Sequence, residues 1–257
     1  MQIAKDVHLI SDSQETVNAA FVTTNRGAVI IDTMRQPSDG ELLFAHVRAR
    51  TAKPIRMVIN THFHADHVFG NAAFPTAPIV ATDTTRKLME QQLEGAWKDI
   101  TANRLELRLP EITFTGRMAL HFDQKTLFLR QLDGHAPGTL VVHIPQRSTI
   151  FTSDLVFAGR FPFMADADIE EWIEALRYLE TLDSEHVIPG HGKPGGPEVL
   201  STQREWLEDF LGHSRDLLSR GLDVPQALQI TADKYEAPPS RRDMLRDVLT
   251  KIKKTLV

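Results

Sequence analysis

Six consecutive residues, His62-Phe63-His64-Ala65-Asp66-His67, follow one residue, Thr61, after the apolar stretch Ile55-Arg56-Met57-Val58-Ile59-Asn60. They constrain the fold more than any other feature, because four potential metal ligands must occupy the loop at the end of one strand. In extended backbone, residues two apart point to the same side, so several of these ligands can converge. Imidazole nitrogen and carboxylate oxygen suit zinc, and a catalytic zinc keeps one position open for water. The chain has no cysteine, which excludes disulfides, thiolate zinc sites and thiol nucleophiles together. Any metal is therefore held by nitrogen and oxygen.

Three further residues extend the pattern: His135 in Gly134-His135-Ala136-Pro137-Gly138, Asp154 in Thr152-Ser153-Asp154-Leu155, and His191 in Pro189-Gly190-His191-Gly192. Each follows an apolar, strand-like stretch and stands among turn-forming residues. Each is therefore expected at a strand's end, where a rigid scaffold fixes the ligand and loops shape a pocket. His8, His46, His121, His143, His186 and His213 lack such neighbours and read as packed or surface histidines. Asp32 and Thr61 are candidates for orienting ligands from behind, with turn formation as the plainer role.

Along the chain, residues 17–24 and 27–33 read as a hairpin joined at Asn25-Arg26-Gly27, and Ser38 with Glu41 predicts a capping box at a helix start. Strands are expected at 55–60 and 78–82, then a helix carrying Leu88, Leu93, Ala96, Trp97 and Ile100. Short strand candidates fill 112–153 and form a second sheet block, with Asp133-Gly134 as one of the turns between them. Asp168 and Glu171 cap a further helix carrying Trp172, Ile173, Leu176 and Leu179, and a strand at 186–189 leads into His191. Leu207, Phe210, Leu211, Leu217 and Leu218 form one helical apolar face, ended by Gly221, and Leu245, Val248, Ile252 and Leu256 form another. Strand-and-helix alternation thus occurs twice, which predicts an α/β chain of two similar halves sharing one core. One domain over 1–257 is expected, with about 200–257 a helical extension packed on it.

Acidic residues outnumber basic ones, 34 to 29, so charge offers no general reason to bind nucleic acid or an anionic membrane. No apolar run approaches the roughly 18 residues of a spanning helix, and the start is too short for a secretory signal. A cytoplasmic protein is the expectation, or a periplasmic one if a signal was removed. A small-molecule substrate is expected as partner, and a homodimer is a further expectation.

His62, His64, Asp66, His67, His135, Asp154 and His191 together resemble, in order, the pattern of the metallo-β-lactamase superfamily, over about residues 15–195. The resemblance implies a four-layer αββα sandwich, with C-terminal helices added, and a dinuclear site at one edge of the sheets. It implies that His62, His64 and His135 hold one metal, that Asp66, His67 and His191 hold the second, and that Asp154 bridges them. Two zinc ions per chain are expected, with iron or manganese as alternatives. Two such ions can share a hydroxide that attacks a carbonyl carbon, with Asp66 orienting the attacking oxygen.

An aspartate at position 154 departs from the broad-range zinc β-lactamases, which carry Cys or Ser there, and resembles thioesterases of the hydroxyacylglutathione hydrolase type, lactonases and phosphodiesterases. The segment 159–192 also resembles zinc hydrolases linked to quinoprotein dehydrogenase systems. Phe161, Pro162, Phe163 and Met164 are candidates for an apolar pocket wall, with Trp97 and Met89 opposite. The reading is a metal-dependent hydrolase, with a β-lactam or similar cyclic amide slightly ahead of a thioester or lactone. The rivals are a phosphodiesterase, an oxygen-using iron enzyme and a non-catalytic metal-binding module.

Overall fold

The structure, a computed structural model, describes residues 1–12, 16–100, 107–122 and 124–256. Its first sheet has seven strands in sequence order: β1 (Gln2–Ala4), β2 (Val7–Ser11), β3 (Asn18–Thr24), β4 (Gly27–Ile31), β5 (Ile55–Ile59), β6 (Ile79–Thr82) and β7 (Ile112–Phe114). The first four are antiparallel, and β4 to β7 are parallel. Parallel neighbours need crossovers, and helix α1 (Pro37–Arg50) joins β4 to β5.

The second sheet holds β8 (Arg117–Phe122), β9 (Lys125–Gln131), β10 (Leu140–Ile144), β11 (Thr149–Ala158) and β12 (His186–Gly192). Its strands are antiparallel except for the pair β11 and β12. The sequence-expected second block therefore begins at β8, because Ile112–Phe114 pairs with β6 in the first sheet.

Side-chain alternation decides the layering. In β4, Val29 and Ile31 enter a core shared with Leu127, Leu129, Val142 and Phe151 of the second sheet. Ala28 and Ile30 point the other way, onto Leu43 and Val47 of α1. The outer face of the second sheet packs through Ile150 and Leu155 against helices α4 (Ile169–Glu180), α5 (Glu198–Ser219), α6 (Val224–Lys234) and α7 (Arg242–Thr255). The result is an αββα sandwich with extra C-terminal helices. Trp172 anchors the outer layer: it is fully buried and its Nε1 donates to the Leu155 carbonyl at 2.9 Å.

Several local expectations need correction. Helix α1 has no capping box at Ser38; it starts at Pro37, whose fixed φ and missing N–H suit the first helical position, and Ser38 lies inside the first turn. The helix expected to reach Ile100 is α3 (Asp83–Glu94), ended by Gly95. Leu256 lies past the end of α7 and is exposed. Asp168 does cap α4, accepting from the Glu170 and Glu171 amides. Among the described residues no helix is long and apolar enough to cross a membrane.

Candidate metal centre and its cavity

β5 ends on the buried run Asn60-Thr61-His62 and passes through His64 into the one-turn helix α2 (Ala65–Val68), which carries Asp66 and His67. Asn71 fixes this turn: it exchanges hydrogen bonds with Asn60 at 2.9 and 3.0 Å and accepts from Thr33 at 2.9 Å. His135 arrives from the loop between β9 and β10. Its neighbour Gly134 has φ of 133°, and a Cβ there would collide with the Trp172 backbone. Asp154 stands within β11 rather than at its end, whereas His191 is the last residue but one of β12. Ser153, at φ of 53°, breaks the register between β11 and β12, and such a bulge re-aims the following side chain.

Two groups of ligand atoms result, each within 4.8 Å: His62, His64, His135 and Asp154 in one, Asp66, His67 and His191 in the other. Asp154 faces both. Its Oδ2 lies 3.8 Å from His62 Nε2, 3.5 Å from His135 Nε2 and 3.0 Å from His191 Nε2, while its Oδ1 lies 3.2 Å from His67 Nε2. Asp66 Oδ2 is 3.6 Å from His191 Nε2 and 3.5 Å from the Arg35 guanidinium.

Partners behind the histidines decide which nitrogen carries the proton. His67 Nδ1 donates to Asp32 Oδ2 at 2.8 Å, and His191 Nδ1 donates to the Thr16 carbonyl. His64 Nε2 donates to Asp166 Oδ2 at 2.9 Å. The Thr61 hydroxyl gives its one proton to Asp32 and so accepts from His62 Nδ1 at 3.1 Å. In each case the proton sits on the outer nitrogen and the lone pair faces the cluster. His62 Nε2, His67 Nε2 and Asp154 Oδ1 are buried with no hydrogen-bond partner. Lone pairs and carboxylates converging in a dry site are costly unless a cation sits among them, so this donor set fits divalent metal.

Burial pushes the His62 imidazole well below its ordinary range and His135 down to about 3, which favours the neutral, ligating form. Burial also acts on His67 and Asp154, but each is outweighed by the other's opposite charge and by its neighbours. His67 is pushed well up and the Asp154 carboxyl well down.

The cluster opens into a cavity of about 700 Å³ lined by Arg35, Asp66, Phe157, Phe161, Phe163 and Arg241 among others. Phe161 and Phe163 are on its wall. Met164 is fully buried in the core under the C-terminal helices, and Trp97 and Met89 pack with Phe63, Phe69 and Ala136 in a separate cluster, so these three stand away from the cavity lining. Asp32 and Thr61 do sit behind the ligands. Ser153, Asp166, Asn71 and Arg241 escaped the sequence reading. Ser153, next to Asp154, and Asn71, four residues after His67, carried a local signal; Asp166 and Arg241 reach the site from remote segments.

A family model described as the metallo-beta-lactamase superfamily matches residues 13–191, more than half of the chain. The chain belongs to that superfamily. Among superfamily relatives, the metallo-beta-lactamase type 2 of Bacteroides fragilis is 24% identical over 200 residues, covering 76% of each chain. A hydroxyacylglutathione hydrolase of a Synechococcus strain is 27% identical over 164 residues, covering 62% of this chain and 55% of its own length. The solved metallo-beta-lactamase from Pontibacter korlensis superposes with a TM-score of 0.67 at 24% identity, covering 81% of this chain and 98% of that one. Helices α5 to α7 lie beyond the matched superfamily segment.

Proposed function

We propose that this superfamily member is a dinuclear metal-dependent hydrolase of a carbonyl-centred bond. The observation that carries the reading is Asp154, whose carboxylate faces both ligand groups: Oδ2 lies beside His62 and His135 of one and His191 of the other, and Oδ1 lies beside His67. His62, His64, His135 and Asp154 would hold one ion, and Asp66, His67 and His191, with Asp154 shared, the other. The five histidines of this donor set support zinc ahead of manganese, with iron as the alternative. Ions in these groups would supply Lewis acidity toward a carbonyl oxygen and toward water.

The chain's own residues do the rest. Asp32, Thr61, Asp166 and the Thr16 carbonyl hold protons on the outer nitrogens and keep the inner lone pairs aimed. Burial alone would raise the Asp66 carboxyl, but His67 and His191 hold it low, so it is ionised at neutral pH. It lies at the cavity edge, placed to orient an attacking water and take its proton. Phe157, Phe161 and Phe163 line the cavity and would give the substrate an apolar wall beside the scissile bond.

A β-lactam or similar cyclic amide is the favoured substrate, supported by the Bacteroides fragilis relative, which matches over three quarters of both chains. A thioester or lactone is the second reading, favoured by aspartate at position 154 and by the hydroxyacylglutathione hydrolase relative. The open cavity beside the ligands argues against a purely structural metal, which closes its coordination sphere. The test is zinc-loaded protein assayed in parallel on a chromogenic cephalosporin, S-lactoylglutathione and a homoserine lactone, with chelated protein and His135→Ala as controls. Turnover lost in both controls is expected. Wild-type rates in His135→Ala would remove the dinuclear mechanism.

A further inference from the structure

The C-terminal helices do more than cover the second sheet. Pro238, Ser240 and Arg241, on the short turn leading into α7, line the same cavity as Asp66, Asp154 and His191. All three lie outside the segment matched to the superfamily. Among the described residues, the carboxylates lining this cavity are Asp66 and Asp154, both in the metal groups, whereas three arginines, Arg35, Arg160 and Arg241, face it.

The pairing of these arginines differs. Arg35 is paired with Asp66, and the next arginines along the chain, Arg242 and Arg246, are matched with Asp233 and Asp243. Arg241 forms no ion pair among the described residues; its guanidinium carbon stands 4.8 Å above the Phe163 ring. The same ring lies 5.3 Å from the His64 imidazole. One phenylalanine therefore touches both a metal-group histidine and an unpaired guanidinium, and that span suits a single small molecule. An aromatic face fixes a guanidinium plane without neutralising it, and so leaves its donor fork for a ligand. Arg241 also immediately precedes the first turn of the 14-residue α7, whose N-terminus adds positive potential at the same place.

We propose that Arg241 is a specificity-determining residue that binds a carboxylate on the substrate, while Phe161 and Phe163 hold the apolar body between that anion and the scissile bond. The position of that bond rests on the hydrolase reading; the anion site itself does not. A planar carboxylate matches the guanidinium fork through two parallel hydrogen bonds.

The test uses full-length, zinc-loaded protein and two aryl thioesters of equal length, one ending in a carboxylate and the other in a carboxamide. The same proteins are titrated calorimetrically with 3-phenylpropionate and 3-phenylpropanamide. The comparison is the acid-to-amide ratio, in kcat/KM and in binding. It is expected to favour the acid in the wild type and to fall about tenfold in Arg241→Gln. Arg241→Lys keeps the charge but not the fork and should fall in between. Arg246→Gln, a loss of equal charge elsewhere on α7, should keep the wild-type ratio.

An unchanged ratio in Arg241→Gln, or a wild type without preference, overturns the proposal. If neither thioester nor the cephalosporin is cleaved, yet the titration ratio depends on Arg241, the anion site stands and the hydrolase reading fails. Turnover with equal rates for acid and amide does the opposite: hydrolysis stands and the anion site falls.

Discussion

Asp32→Asn tests whether the ligands are aimed from behind. The Asp32 carboxylate is buried and accepts three hydrogen bonds: from the Thr61 amide at 2.8 Å, the Thr61 hydroxyl at 2.7 Å and His67 Nδ1 at 2.8 Å. An asparagine of the same shape has one acceptor oxygen. If that oxygen takes the Thr61 amide, its NH₂ faces the Thr61 hydroxyl and His67 Nδ1. The hydroxyl can turn and accept. The imidazole must then move its proton to Nε2, toward Asp154, where the ligating lone pair belongs. Two bonds to a charged acceptor are weakened in a dry site, so the variant should lose about 2–4 kcal/mol of folding stability. Affinity for the ion held by His67 should fall about 10- to 100-fold, with the other ion retained more tightly. Zinc content after equilibrium dialysis against graded chelator, together with urea denaturation in excess chelator, reads the two effects separately. Two zinc ions held with wild-type affinity in a variant of wild-type stability would refute the reasoning.

Other perturbations separate neighbouring effects. Gly190 is not a ligand, yet a Cβ there would collide with Asp154 Oδ1; Gly190→Ala should therefore lower zinc stoichiometry and hydrolysis together, and retention of both sinks the idea. Trp172→Ala empties the fully buried anchor under His135 and should cost about 3–5 kcal/mol by urea denaturation; a loss under about 1 kcal/mol would contradict that role. Burial alone would raise the Asp6 carboxyl, but hydrogen bonds from Arg147 and Lys125 hold it below its ordinary value. A depressed folded-state value gives stability that is present above the unfolded value and lost as pH falls through the folded one. Asp6→Asn should thus be less stable by up to about 1 kcal/mol at neutral pH, with the gap closing below about pH 4 in thermal melts. A gap that is constant with pH would rule out the ion pair as its source.

How much of this was legible in the sequence follows from the range of each interaction. His62 to His67 could be read as one site because their ligand atoms need only local backbone to converge, and the apolar stretches before His135, Asp154 and His191 placed those residues on the same scaffold. Periodicity gave the two sheet blocks, but it could not assign Ile112–Phe114 to the first sheet, since strand pairing is decided by β6. It also placed Asp154 at a strand end, whereas a register break at Ser153 turns it out of the middle of β11.

The sequence by itself determined the chemistry available: no thiolate, seven candidate nitrogen and oxygen ligands in order, and enough alternating apolar residues for two sheets and their helices. Tertiary structure alone decided the rest. It set which oxygen of Asp154 meets which histidine, that Asp32 and Asp166 fix the protons of His67 and His64, and that Arg241 faces the cavity while Trp97 and Met164 do not. The physical reason is that such contacts join segments 30 to more than 100 residues apart, such as Asp32 with His67 and His64 with Asp166. No periodicity within one segment encodes them; they exist only once the two sheets have packed face to face.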